Sequence, residues 1–217
     1  RSKNIKDYAG PLIGILGGIL PHKGLHVLIK ASEIIKKEIP ESHFIVAGSM
    51  PRSKKVQPKT IKRKIRNQIA RVFNIIDHEI LINDLLDRHD VKNDFTFTGN
   101  TLKVNELIAS LNVLVFPITE SHFGNPILEA MSMKIPIVAS DLPSTREIIK
   151  NNETGLLAIP NNHEDLAEKI IMILKNNNHA NYMADNAFKY VKKNFNLHVN
   201  IKKIFNIYDE LLNNEDV

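Results

Sequence analysis

The stretch TESHFGNPILEAM, Thr119 to Met131, sets a carboxylate on each side of a Gly124-Asn125-Pro126 turn, with Glu120 before it and Glu129 inside the apolar run that follows. Two such groups can divide acid and base work, or one can hold a ligand while the other is a solvated loop charge. Asn125 is a good helix cap and Pro126 suits the first helical position, so a helix is predicted to start here and continue through Ile127, Leu128, Ala130 and Met131. The amides of Ile127 and Leu128 are expected to point out of that end unpaired, which would make it an anion site. Glu129 is expected on the first turn, where a ligand role and a simple preference for negative charge both account for it.

A second cradle is predicted in LGGILPHKGLHVLIKA, Leu16 to Ala31, which leaves a strand, turns on Gly17 and Gly18, and enters a helix just past Lys23 and Gly24. Paired glycines let backbone amides come close to a ligand, a helix start favours anions, and Lys23 adds a point charge. This is not a P-loop, because no Ser or Thr follows the lysine, and it lacks the G-x-G-x-x-G spacing. A glycine turn that merely packs a helix on a strand has the same sequence, and spacing alone does not separate the two. His22 and His26 lie four apart with Gly24 between them and no third ligand, so no zinc site is predicted. No Ser-His-acid signature is present, and His122 either faces the ligand or is a solvated loop histidine.

These residues need a scaffold, and the chain supplies an alternating one. Short β-branched runs at Leu12 to Leu16, His43 to Gly48, Phe95 to Thr98, Val113 to Pro117, Ile135 to Ser140 and Gly155 to Ile159 read as strands. Helices are predicted to begin near Lys23, Thr60, Lys103, Pro126, Pro143, His163 and Asn178, and a last one to run from about His198 to Leu212. The alternation predicts an α/β fold, a parallel sheet with helices on both faces. Two anion-ready helix starts at the carboxyl ends of separate strands are where such a sheet binds a nucleotide.

The chain has 217 residues, 43% of them hydrophobic, enough to bury one ordinary core. It has no cysteine, which excludes a disulfide scaffold and thiolate chemistry, and the expected compartment is the cytoplasm. No apolar run approaches the roughly 20 residues of a membrane span, and no signal-peptide core is present at the start. The net charge of +5 is local, because the span from Arg52 to Ile76 carries nine cations and no acid. This span belongs to a region, residues 51–93, that is long for a βα connection and is read as an insertion. Ile61, Ile65, Ile69, Val72, Phe73 and Ile76 recur at helical spacing. With Lys62, Arg63, Lys64 and Arg66 beside them, they form a basic amphipathic helix. Such a helix can lie on an anionic membrane or on nucleic acid, or pack on the domain with its cations solvated.

Four segments in order, GGILPHKGLHVLIKA, HFIVAGSMP, HFGNPILEAMSMKIPIVASDLPSTREII and NETGLLAIPNNHEDLAEKI, resemble the C-terminal, donor-binding domain of the retaining glycosyltransferases of family 4. FNLHVNIKKIFNIYDELL resembles that family's closing helix. The resemblance covers nearly the whole chain outside the basic insertion. It implies a Rossmann-like domain, one half of a GT-B fold, that spans residues 1–217 and binds a nucleotide diphosphate sugar. It further implies hexosyl transfer to a hydroxyl acceptor with retention, in polysaccharide or glycolipid synthesis, without metal or cofactor. By resemblance Lys23 binds the diphosphate, Gly17-Gly18 close over it, and Glu129 holds the ribose hydroxyls. Ser121, His122, Phe123, Gly124, Asn125, Pro126, Ile127 and Leu128 lie against the sugar and distal phosphate. Gly99, Thr101, Leu102 and Val104 lie near the base.

The chain departs from the pattern in three places. Gly18 stands where the family usually has arginine, so a diphosphate cation is lacking. Eight residues separate Glu120 from Glu129, one more than in the family, so Ser121 occupies the first glutamate's register. Pro126 brings no amide hydrogen to the helix start. Lys134 also stands where glycine is common. The resemblance implies that an N-terminal, acceptor-binding half is absent and that the isolated chain transfers nothing. Two rival readings are a GT-B nucleotide-sugar epimerase and a non-catalytic module that binds anionic membrane or nucleic acid through the insertion. Nucleic acid is not an expected partner, and peripheral attachment to the cytoplasmic membrane is the expected extra location.

Overall fold

The computed structural model describes residues 8–48, 78–101 and 103–213. The helix expected from Thr60, the basic stretch around it and Leu102 lie outside the described residues. Six strands form one parallel sheet: β1 (Leu12–Leu16), β2 (His43–Ala47), β3 (Phe95–Gly99), β4 (Val113–Phe116), β5 (Ile137–Ser140) and β6 (Leu156–Ala158). Their order across the sheet is β3-β2-β1-β4-β5-β6. Leu12 pairs with His43, Ile13 with Val113, Leu114 with Ile137 and Val138 with Leu156. All six strands coincide with the predicted runs to within two residues at each end.

Four of the runs, β1, β2, β4 and β5, are buried throughout because both faces of the sheet are covered there. The edge strand β3 (FTFTG) alternates Phe with Thr and is only partly buried; the faces separate by strand periodicity. Ile13, Ile15, Phe44, Val46, Val113 and Val115 belong to one core. Leu12, Leu16, Ile45, Ala47, Leu114 and Phe116 belong to the other. The first face is packed by α1 (Leu25–Glu38), α2 (His78–Arg88) and α6 (His163–Lys175), through Leu25, Leu28, Ile82, Leu86, Ile170 and Ile173. The second is packed by α3 (Val104–Ala109) and α4 (Asn125–Ser132), through Ile108, Ile127 and Met131. A short α5 (Pro143–Arg146) follows β5, and α7 (Asn177–Asn194) gives Met183 to the first core and Val191 to the second. Asn162 and Asn176 cap α6 and α7 by accepting from Asp165 N and His179 N.

Two features were not in the sequence reading. Helix α2 was not separated from the insertion around it; Ile82, Leu85 and Leu86 take it into the main core, and His89 Nδ1 lies 2.8 Å from Glu33 of α1. Lys134 holds the left-handed φ of 57° that glycine adopts freely, while its Nζ pairs with Asp185 at 2.7 Å. The last helix, α8 (Leu197–Asn213), exposes Leu197, Ile201, Ile204, Tyr208 and Leu211 at alternating spacings of four and three, one apolar stripe open to solvent. Among the described residues no helix is long and apolar enough to cross a membrane.

The strand order reverses between β1 and β4, whose connections leave in opposite directions and open a crevice at their carboxyl ends. There Gly24, at φ 75°, lies so close to the Pro117 carbonyl that a Cβ would sit 1.7 Å from its oxygen. Gly24→Ala is therefore expected to cost at least about 3 kcal/mol from strain and displacement together, read as a lowered urea midpoint. An unchanged midpoint would mean that this contact is not needed for the fold.

Candidate functional site

The chain leaves β1 through Gly17 and Gly18, at φ 111° and 80°, and both amides donate to the Ala47 carbonyl at the end of β2 at 3.0 Å. The glycines thus stitch two strand ends together, which corrects the expectation that their amides face a ligand. A 3-10 turn, Pro21–Lys23, follows, and Gly24 then caps α1. Val27 N and Leu28 N both bond the Gly24 carbonyl, so the outward amides of this helix start are those of Leu25 and His26. The Lys23 side chain lies across Gly17, where a Cβ would meet its Cε at 3.1 Å.

From β4 the chain passes Pro117 and the buried Ile118, and Thr119 N donates to the His22 carbonyl at 3.0 Å. His122 then folds back toward the β1 side. Its Nδ1 lies 3.0 Å from the Glu120 carbonyl and its Nε2 2.8 Å from Lys23 Nζ. Two residues 99 apart in sequence are joined across the switch point. Burial lowers the affinity of the Lys23 amine for its proton. Burial does the same to the His122 ring, aided by the charges of Lys23 and His22 and opposed by the bond to Glu120. The solvated-loop reading of His122 is therefore set aside.

The start of α4 differs from the prediction. The cap is Gly124, not Asn125, and it makes no side-chain bond; Asn125 and Pro126 open the helix. Ile127 N and Leu128 N both donate to the Gly124 carbonyl, at 2.9 and 3.3 Å, so neither is the free donor expected. The Asn125 amide is the unpaired first-turn donor among the described residues, because proline has none. No acid lies in the first turn, which moves Glu129 to the next one and removes the helix-start preference as its explanation. Glu129 is half-buried and makes no hydrogen bond or ion pair among the described residues. Glu120 and Ser121 are exposed, and Phe123 is 62% exposed beside the buried Gly124.

Gly99, at φ 68°, accepts from Gly48 N at 3.0 Å, Thr101 Oγ1 accepts from Lys103 N, and Val104 opens α3. They lie at the end of the edge strand β3 or just beyond it, two strands away from β1. Sequence reasoning missed the Lys23-His122 bond and the Gly24-Pro117 approach; the one available signal was that both loops follow strands that become neighbours. Among the described residues no three His, Asp or Glu side chains converge. A cavity of about 450 Å³ opens elsewhere, at the amino ends of β1 and β4 beside Gly10, Pro11, Ile39, Asn112 and Lys175. It lies at the wrong end of the strands for a nucleotide, and the switch-point crevice is the better candidate.

The family described as "Glycosyl transferases group 1" matches residues 10–176. The capsular polysaccharide biosynthesis glycosyltransferase CapM of Staphylococcus aureus is 23% identical over 93% of this chain and 46% of its own length. The lipopolysaccharide core biosynthesis mannosyltransferase LpcC of Rhizobium leguminosarum is 23% identical over 93% and 51%. The chain thus spans about half the length of the curated relatives it matches. Among solved structures, HepE from Anabaena in complex with UDP superposes with a TM-score of 0.79 at 20% identity, over 94% of this chain and 50% of that one. The C-terminal domain of a group 1 glycosyl transferase from Francisella tularensis, LpcC, gives 0.67 at 23%, over 88% and 90%. The shared architecture is one Rossmann-like half of a GT-B fold.

Lys23 and the two outward helix ends make this crevice suited to a phosphate chain. Lys23→Met is expected to weaken pyrophosphate binding at least about tenfold by calorimetry, with little change in melting temperature, since Lys23 is half-exposed. Equal affinity in the variant would place the anion elsewhere.

Proposed function

Because the chain belongs to the group 1 glycosyl transferases, we propose that it is the donor-binding half of a family 4 retaining enzyme that moves a hexosyl group from a nucleotide diphosphate sugar to a hydroxyl acceptor. The observation that carries this reading is the Lys23-His122 bond across the β1-β4 switch point, which sets a cation where a parallel sheet of this order receives a nucleotide. That HepE was solved with UDP supports a nucleoside diphosphate as the ligand class.

In this reading Lys23 and the Leu25, His26 and Asn125 amides stabilise the charge that develops on the departing diphosphate, the step where preorganised donors contribute most. Gly17 and Gly18 shape the turn that leaves Lys23 its place. Phe123 and the segment from Gly124 to Leu128 line the sugar side. Glu129, half-buried and without a protein partner among the described residues, is free to accept from the ribose hydroxyls. Gly99, Thr101 and Val104, at the end of β3, are assigned to the base.

The acceptor is assigned to a second half; that this chain covers only 46% of the length of CapM supports this reading. The open apolar stripe of α8 supports the presence of such a neighbour. The names of the relatives support synthesis of a polysaccharide or glycolipid, and the basic segment after Arg52 suits attachment to an anionic membrane surface, which we assign to the cytoplasmic side.

Screening nucleotide sugars by thermal shift tests the donor assignment. At a hundredfold excess over Kd the best donor should add about 2.7 kcal/mol, a rise of roughly 5 to 10 °C. Absence of any shift across the common nucleotide sugars sinks the assignment. Glu129→Ala should weaken the best donor about tenfold, near 1.4 kcal/mol, and the isolated chain should transfer no sugar. Undiminished affinity in the variant removes the ribose role, and sugar transfer by the chain alone removes the need for a second half.

A further inference from the structure

The hydrogen bonds of His122 define its charge. The Glu120 carbonyl can only accept, so His122 Nδ1, 3.0 Å away, carries the ring proton. Nε2, 2.8 Å from Lys23 Nζ, then offers its lone pair to the ammonium. An imidazolium would set an N–H against an ammonium at that distance, so the free protein holds a neutral ring. The charged and titratable groups that face this ring among the described residues are Lys23, His22 and Glu120. The His22 ring stands edge-on at 5.4 Å and the Phe116 ring lies 5.3 Å away. Burial first, then Lys23 and His22, keep the ring from charging, against the pull of Glu120.

A diphosphate between a nucleoside and a sugar carries two negative charges, and Lys23 balances one. Gly18 and Ser121 add none. An anionic oxygen that recruits the Lys23 ammonium also gives Nε2 an acceptor in place of a donor, which reverses the balance that kept the ring neutral. We propose that His122 is the site's second phosphate cation: neutral while it positions Lys23 over Gly17, and protonated at Nε2 from solvent as the diphosphate arrives. The proposal rests on the assignment of the diphosphate to Lys23 made above. Binding is then linked to uptake of one proton, and affinity rises as pH falls between the His122 pKa of the complex and the lower one of the free chain.

Calorimetric titration of the 217-residue chain with UDP-glucose, GDP-mannose, ADP-glucose and dTDP-glucose, each in two buffers of different ionisation enthalpy, reads this proton directly. These ligands suit the purpose because their diester phosphates do not titrate near neutrality. Uptake is expected to be largest near the ordinary histidine pKa of about 6.5, with the value of the free ring held below it and that of the ring in the complex raised above it. Affinity should gain up to about tenfold per unit of falling pH. His122→Gln keeps an acceptor for Lys23 but cannot charge; its uptake and pH slope should vanish. His22→Gln should retain both. Ligand binding without proton uptake, uptake that survives in His122→Gln, or uptake lost only in His22→Gln overturns the proposal while the donor site stands. Failure of all four nucleotide sugars to bind overturns both.

Discussion

The Gly24 backbone meets the Pro117 carbonyl with no room for a side chain, and the geometry of the crevice depends on that contact. Adjacent parallel strands whose connections leave in opposite directions tend to splay at their carboxyl ends. Here the two exits still touch at one point, Gly24 against Pro117. The Thr119 amide bonds the His22 carbonyl beside the contact, so the Pro21–Lys23 turn is fixed to the β4 loop as well as to its own helix. With φ at 75°, Gly24 turns the chain sharply into α1, and the residue before it is the one left at the mouth of the crevice. Lys23 owes its place to its neighbour's lack of a side chain.

A lysine held this way bears an electrostatic cost that the site does not fully relieve. Burial disfavours its charge, and the first partner it finds is a neutral ring rather than a carboxylate. A carboxylate there would stabilise the free protein and compete with any incoming phosphate. A neutral acceptor orients the ammonium and leaves its charge unsatisfied, which is the better state for recruiting an anion. Glu120 is close enough to offer its backbone carbonyl, yet its side chain stays in solvent, so the loop contributes an acceptor to His122 without cancelling the cation.

The sheet was legible because its strands obey one rule. Most are apolar on both faces, and LIGIL, HFIVA, VLVF and IVAS read as covered parallel strands, while FTFTG at the edge was legible from its β-branched and aromatic alternation. Most helix starts were legible from Asn and Pro within a residue or two. Helix α2 was not, because its apolar positions follow a long basic stretch and the whole region reads as one insertion. The site was legible in its membership but not in its wiring. Spacing predicted that glycine amides and the amides of Ile127 and Leu128 face a ligand. In the fold they are bonded to Ala47 and Gly124, since a backbone donor near a strand end takes the nearest carbonyl. The shift of the helix cap by one residue, from Asn125 to Gly124, was enough to move Glu129 off the first turn.

These backbone bonds limit what the crevice can do. With most of its backbone donors committed to the fold, it cannot act as a dense nest of amides of the P-loop kind. In the proposed role, its hold on an anion comes from a few groups: one lysine, the histidine that positions it, and the outermost amides of two helices. Such a site is weak in open solvent, where charges are screened, and becomes strong only when water is excluded. Phe123, with 62% of its surface exposed at the rim, and the open apolar stripe of α8 are surfaces that the fold itself does not cover. A second body that buried Phe123 would lower the local dielectric around the neighbouring His122 and its partner Lys23. The same few charged groups would then hold a diphosphate more tightly without any new protein contact to it.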